Sequence, residues 1–394
     1  MENIDKLNQV EIKEVERNGK GKRVAFVLPA FRGGGIEKVV IELAKGFFER
    51  NFDVDIVLAK AEGEFMDMLP KDSFIVDLNV PVRLRLIRSF FPLLHYFKMR
   101  KLDLVLPLFD SFEITPIVAL RLLHIFKKSP VILYSIHNVS KNVDGFEGIK
   151  KVLAKTSIFF ALRLSTGIVA VSRGVAEDYS KNFNIPLSKI EVIYNPIPIE
   201  DIINKGKEEV NHSWFANKSY PLILGVGRLN KQKDFPNLLR AFSILRNRID
   251  ARLVILGEGE ERKNLENLAN ELGISEYVWM PGFVDNPYKY MSKASVFVLS
   301  SVYEGLPTVL IEALGLGVPV VSTDCPSGPS EILDGGKYGK LVPVENSQLL
   351  AEAILETLNN PQSCKVLIER AKEFSTENAL RKYLDLFWRL YEER

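Results

Sequence analysis

The sequence predicts an α/β fold of two doubly wound parallel sheets facing each other across a cleft. Three observations carry this. Short runs of Val, Ile and Leu alternate with helical patterns along most of the chain, the pattern of strands covered on both faces by helices. The alternation stops once, over 195–220, where prolines and polar residues replace it, and then restarts. The 394 residues suffice for two domains of ordinary size.

In the first half, "RVAFVLP" (23–29) predicts a buried strand and "GIEKVVIELAKGFFERN" (35–51) the helix after it. Further strands are predicted at 53–59, 102–108, 130–136, 167–172 and 190–195. After the break come strands at 221–227, 251–257, 277–282, 295–300 and 318–323. Helices are predicted near 235–248, 260–272 and 308–315, and the chain from about Asn346 is helical to its end. The organisation expected is a polar leader (1–22), a first domain (23–196), a second domain (197–375), and a last helix (376–394) that packs back on the first domain. The leader lacks the apolar core of a signal peptide. No internal repeat or low-complexity tract is evident.

Composition narrows the function. A hydrophobic fraction of 46% and a charged fraction of 26% describe a folded soluble protein. The net charge of +2 gives no strong pull toward nucleic acid. Two cysteines, Cys325 and Cys364, make no disulfide framework, so a reducing cytoplasm is the simplest setting. No apolar run approaches the ~20 residues of a spanning helix.

The most informative stretch is "YEGLPTVLIEALGLGVPVV" (303–321), with Glu304 and Glu312 eight residues apart. It follows a strand whose carboxyl end, in an open sheet, borders a ligand crevice. A helix starting near Pro307 aims free N–H groups and a positive dipole end at that crevice, which favours an anion such as a phosphate. Gly305 permits close approach to the backbone. Glu312 shares a helix face with Thr308 and leans toward the same opening. Its carboxylate suits a vicinal diol such as a ribose, and Glu304 suits other hydroxyls. Taken as residues alone, Glu304 could equally be a solvated loop acid and Glu312 the partner of a nearby lysine.

Other loops point to the same opening. "GVGRLNKQKDFPNLL" presents Arg228 and Lys233 where cations would reach phosphates, although a solvated basic loop would look the same. Gly257 and Gly259 either admit a base ring or form a bare turn. "LPAFRGGGIEK" places Gly33, Gly34 and Gly35 between strand and helix, with accessible N–H groups and without the Lys-Ser/Thr ending of an ATP-hydrolysing loop.

Together these features resemble the retaining glycosyltransferases of family 4, which have the GT-B fold of two facing Rossmann-like domains. The resemblance runs from about Arg23 to the last helix. Its most specific element is the E-x7-E pair, Glu304 and Glu312, supported in order by "RGGGIEKVV", "SIHN", "AVSRGVAEDY", "VIYNPI", "GRLNKQKD", "LGEGEER" and "PGFVDN". It implies that Arg228 and Lys233 hold the donor diphosphate and that Glu312 holds the donor ribose. Glu304, with the backbone of Gly305, Leu306 and Thr308, would contact the transferred sugar. Phe283 and Gly257 would lie beside the base, Gly34 and Gly35 would close over the phosphates, and His137 would stand near sugar and acceptor. A lone histidine after a strand is otherwise a common structural residue. One departure is Asp234-Phe235, where many relatives have a Lys-Gly start to the helix, a change that would shift Lys233 slightly.

The implied reaction moves a sugar from a nucleotide-diphosphate donor, expected to be a UDP-sugar, to a hydroxyl with the anomeric configuration kept. The leaving phosphate would assist acceptor deprotonation. The resemblance implies no cofactor and no bound metal, and the chain is read as having no Asp-x-Asp metal motif, which agrees. The acceptor is expected to be a glycan or lipid-linked, in surface-polysaccharide or lipid-linked oligosaccharide synthesis. Three basic, aromatic segments of the first domain, at 83–101, 120–128 and 150–164, suit contact with an anionic membrane, which would place the protein on its inner face. The competing readings are a catalytically idle nucleotide-sugar-binding regulator or scaffold, a mannosyltransferase using GDP-mannose, and another GT-B enzyme such as a phosphorylase or epimerase.

Overall fold

The computed structural model describes residues 19–31, 34–63, 65–80, 88–108, 114–124, 129–140, 148–216 and 219–393. The described residues form two all-parallel sheets. The first contains β1 (Arg23–Leu28), β2 (Asp53–Leu58), β3 (Phe74–Asp77), β4 (Leu104–Pro107), β5 (Val131–Ile136), β6 (Gly167–Ala170) and β7 (Ile190–Val192), in the order β3-β2-β1-β4-β5-β6-β7. The second contains β8 (Leu222–Val226), β9 (Arg252–Leu256), β10 (Val278–Gly282), β11 (Val296–Leu299), β12 (Val320–Thr323) and β13 (Lys340–Val342), in the order β10-β9-β8-β11-β12-β13.

Each order reverses once, beside β1/β4 and beside β8/β11, and these switch points are where doubly wound sheets open a crevice. The central strands are buried along almost their whole length, which is why they appear as unbroken apolar runs. β3 and β13 were not predicted. Both are edge strands, and their short sequences FIVD and KLV carry exposed residues in place of a buried run.

The helices of seven or more residues among the described residues are α1 (Gly35–Glu49), α2 (Phe90–Met99), α3 (Ile114–Leu123), α4 (Gly148–Leu164), α5 (Arg173–Phe183), α6 (Ile199–Lys205), α7 (Phe235–Arg246), α8 (Arg262–Glu271), α9 (Thr308–Gly315), α10 (Ser347–Asn359), α11 (Cys364–Lys372) and α12 (Thr376–Glu392). The connecting stretch 195–220 is not wholly irregular. It contains α6, and Ile197 forms a parallel bridge with Ser375 where the chain returns. α12 then enters the core of the first sheet's domain: Phe387 packs edge-on to Phe52 at 5.8 Å, and Leu380, Tyr383 and Leu384 join the cluster of Phe26, Val40 and Phe47.

Gly19–Lys22, expected to belong to the leader, are tied into the fold. The Gly19 N–H bonds Arg50 O at 2.8 Å, and Lys22 pairs with Asp103. Residues 1–18 lie outside the described set.

Contrary to that expectation one Asp-x-Asp spacing does occur, Asp53-Val54-Asp55, but it opens the interior strand β2, at the amino-terminal ends of the strands and opposite the carboxyl ends that border a crevice. Asp55 is fully buried and accepts the Tyr96 hydroxyl at 2.7 Å and a fork of two Arg100 N–H groups at 2.8 and 3.0 Å. It anchors α2 to the sheet, and its donors occupy the oxygens that a metal would need.

Candidate functional site

The loops leaving β8 and β11 lie side by side at the second sheet's switch point, and they are stitched together. Val302 N–H donates to Gln232 O at 2.9 Å, Ser300 Oγ to Lys233 O at 2.7 Å, and Gln232 Nε2 to Tyr303 O at 3.0 Å. This brings Lys233 Nζ to 2.6 Å from Glu304 Oε1, which also accepts the Ser301 hydroxyl at 2.6 Å. Glu304 is therefore not a solvated loop acid: it is buried and compensated by a cation. The neighbouring Cys325 thiol is pushed up to about 12 by burial and by the Glu304 charge, so it stays protonated.

Arg228 is placed differently. It is 71% exposed and paired with Glu260 at 3.4 Å, whereas Lys233 is held by the buried Glu304. The departure at Asp234 has a local explanation. Asp234 takes the left-handed conformation (φ 45°, ψ 48°) that glycine would adopt freely, and its carboxylate caps α7 through Asn237 N–H at 3.3 Å. The altered residue keeps the turn, and Lys233 still reaches Glu304.

Glu312 lies inside α9, which begins at Thr308, one residue after Pro307. It is buried, and burial raises its carboxyl above the usual range; Lys38 on α1, the Tyr288 hydroxyl bonded to it, and Lys233 pull it back. Lys38 belongs to the first domain, so Glu312 senses charge from both sides of the cleft. Leu306 is buried in the turn between the two acids, and Thr308 is half-buried.

Two glycines decide how closely the loops approach. A methyl on Gly257, which has φ +138°, would fall 2.0 Å from Gly227 O, so this glycine lets the β9 loop lie against the β8 loop. A methyl on Gly305 would fall 2.1 Å from His137 O, so Gly305 brings the Glu304 loop against the end of β5 in the other domain. Phe283 follows Gly282 at the end of β10 and is 62% exposed, with its ring free to take a flat partner.

On the facing domain, His137 leaves β5 and is buried. Burial lowers it to about 4, so it is neutral at neutral pH, and its Nε2 has no partner among the described residues. Gly34 occupies the N-cap position of α1 and Gly35 its first turn, both exposed. Gly33 lies outside the described residues. Among the described residues no group of three or more His, Cys, Asp or Glu side chains could hold a metal ion.

Sequence reasoning missed Ser301, Gln232, Tyr288 and Lys38, which surround the two acids. They are common residue types without a motif, and only the folded positions of their loops select them.

Two doubly wound domains facing each other, with the loop after β11 of one lying against the end of β5 of the other, define the GT-B architecture. Residues 33–201 match the family model "Glycosyltransferase Family 4", and residues 206–374 match "Glycosyl transferases group 1". The chain belongs to the family 4 type of GT-B glycosyltransferases.

It is 39% identical over 205 residues to the Campylobacter jejuni N-acetylgalactosamine-N,N'-diacetylbacillosaminyl-diphospho-undecaprenol 4-alpha-N-acetylgalactosaminyltransferase, a match spanning 52% of this chain and only 54% of that protein's length. It is 26% identical to a second C. jejuni enzyme, the GalNAc-alpha-(1->4)-GalNAc-alpha-(1->3)-diNAcBac-PP-undecaprenol alpha-1,4-N-acetyl-D-galactosaminyltransferase, over 92% of this chain and 98% of that one. The crystal structure of Anabaena Alr3699/HepE in complex with UDP superposes with a TM-score of 0.74 at 18% identity, covering 93% of this chain and 99% of that one.

Proposed function

We propose that this chain transfers a sugar from a UDP-sugar to a hydroxyl of a lipid-linked or polysaccharide acceptor, with retention and without a metal. The observation that carries the reading is the buried Lys233–Glu304 pair beneath the start of α9, opposite His137. A diphosphate at the α9 N-terminus would be met by the helix dipole and Lys233, with Arg228 swinging in from its exposed position. These positive groups would stabilise the departing diphosphate, which is the service that a divalent ion renders elsewhere. Glu312 would accept the ribose hydroxyls. Glu304 and the peptides after Gly305 would hold the transferred sugar, and the neutral Nε2 of His137 would bond one of its hydroxyls. Phe283 would lie against the base, and Gly34 and Gly35 would approach the phosphates. The UDP-bound structure and the names of the two C. jejuni relatives support the donor and the acceptor class.

We further propose that the first domain rests on an anionic membrane surface. α4 exposes Val152, Leu153, Phe159 and Phe160, with Arg163 over the Phe159 ring at 3.6 Å; Phe91 and Met99 on α2 and Leu122 on α3 are exposed as well. Among the described residues no helix is long and apolar enough to cross a membrane. Of the three segments expected to serve this contact, residues 83–87 and 125–128 lie outside the described set.

Calorimetry tests the division of the site. Glu312→Gln should weaken UDP binding about tenfold, because a neutral amide accepts hydrogen bonds more weakly than a carboxylate. Glu304→Gln should leave UDP binding intact and reduce turnover of the UDP-sugar, with EDTA without effect on the parent rate. Equal loss of UDP binding in both variants, or none in either, would refute the assignment.

A further inference from the structure

Ser172, fully buried at the start of α5, bridges the two domains. Its Oγ caps α5 by accepting Val175 N–H at 3.2 Å. The same hydroxyl donates to the Gly305 carbonyl of the other domain at 2.9 Å. Ser327 donates to that carbonyl at 2.9 Å as well, with 2.7 Å between the two hydroxyls. The Gly305 oxygen thus has both its lone pairs engaged, one from each domain.

One residue further on, the Arg173 N–H donates to the carboxylate of Glu331 at 2.8 and 3.1 Å. Glu331 also accepts the Tyr194 hydroxyl at 2.7 Å, and its own carbonyl is held by Arg370 at 2.7 Å. A helix of the first domain therefore receives its N-terminal negative charge from the second. A methyl on Gly174 would come 2.9 Å from Ser327 Cα, so the joint closes without room for a side chain.

We propose that Ser172 and Glu331 are positioning residues for sugar transfer. The joint they form fixes the Gly305 peptide, and through it the adjacent Glu304 carboxylate and the backbone leading into α9, in register with His137. The kinetic part of this rests on the sugar-transfer reading above; the geometric part does not. Neither residue is bonded to Arg228, Lys233 or Glu312, so losing the joint should lower turnover and spare nucleotide affinity. Ser172→Ala also removes a helix cap. Ser327→Ala removes the second donor to Gly305 without touching a cap, and Glu331→Gln removes the charge while keeping the shape.

The experiment compares these three variants with the parent in three measurements: UDP affinity by calorimetry, kcat and KM on UDP-sugars, and small-angle scattering of the free protein. Each variant should lose roughly five- to tenfold in kcat, the scale of one lost hydrogen bond, with UDP affinity and KM moved less than threefold. Glu331→Gln and Ser172→Ala should show a larger radius of gyration than the parent. Parent-like kcat in Ser327→Ala and Glu331→Gln, or nucleotide affinity falling in step with kcat, overturns the positioning role. If the parent turns over none of the UDP-sugars, the donor reading fails, and scattering alone decides the joint: unchanged profiles refute it, and expanded variants uphold it.

Discussion

Lys233 and Glu304 meet at 2.6 Å although they stand on loops leaving different strands, β8 and β11. Both side chains are largely buried, at 16% and 8% exposure, so removing one partner strands a charge out of water. Lys233→Met should destabilise the protein by about 3 kcal/mol, whereas the double variant Lys233→Met/Glu304→Gln should recover most of that loss. Urea denaturation of the parent, Lys233→Met, Glu304→Gln and the double variant measures it. A single variant as stable as the parent would mean that the pair is not desolvated.

His137 makes stability depend on pH. Its folded value of about 4 lies below the unfolded value of 6.5. The unfolded chain thus takes up a proton that the folded chain refuses, and stability present above pH 6.5 drains away as pH falls toward 4, by up to about 3 kcal/mol. His137→Asn should flatten that part of the profile. Equal pH dependence of parent and variant between pH 7 and 4.5 would contradict the buried neutral imidazole.

Asp234 combines an unfavourable backbone angle with a favourable cap. Asp234→Gly trades one for the other and should stay within about 0.5 kcal/mol of the parent. Asp234→Ala keeps the strain and loses the cap, and should cost about 1–2 kcal/mol. Thermal unfolding ranks the three proteins. If alanine matched glycine, the left-handed turn at this position would be wrong.

The exposed apolar face of α4 should govern membrane binding. Phe159→Asp/Phe160→Asp should reduce cosedimentation with vesicles containing phosphatidylglycerol at least tenfold and leave UDP affinity unchanged. Undiminished binding by this variant would move the contact elsewhere.

The sequence made most strands legible because a buried parallel strand is an uninterrupted apolar run, as at Val24–Leu28 and Val296–Leu299. It hid β3 and β13, since an edge strand needs no such run. Glu304, Lys233 and Glu312 were legible as candidates from their places near strand and helix ends. Their pairings were not: the Lys233–Glu304 contact depends on two loops being adjacent, and Ser172 reads as an ordinary helix cap until Gly305 arrives from the other domain.

The return of α12 to the first domain bears on how the chain is made. Phe52, Phe47 and Val40 are made early, yet the partners that complete their cluster, Leu380, Tyr383 and Phe387, are translated only after every strand of both sheets. The domain whose strands are synthesised first is thus completed after the second, and until α12 has been made its apolar floor lacks a covering. A stop codon a few residues short of Thr376 would spare every strand of both sheets and still leave that floor bare, so such a truncation should strike the half of the protein farthest from it in sequence.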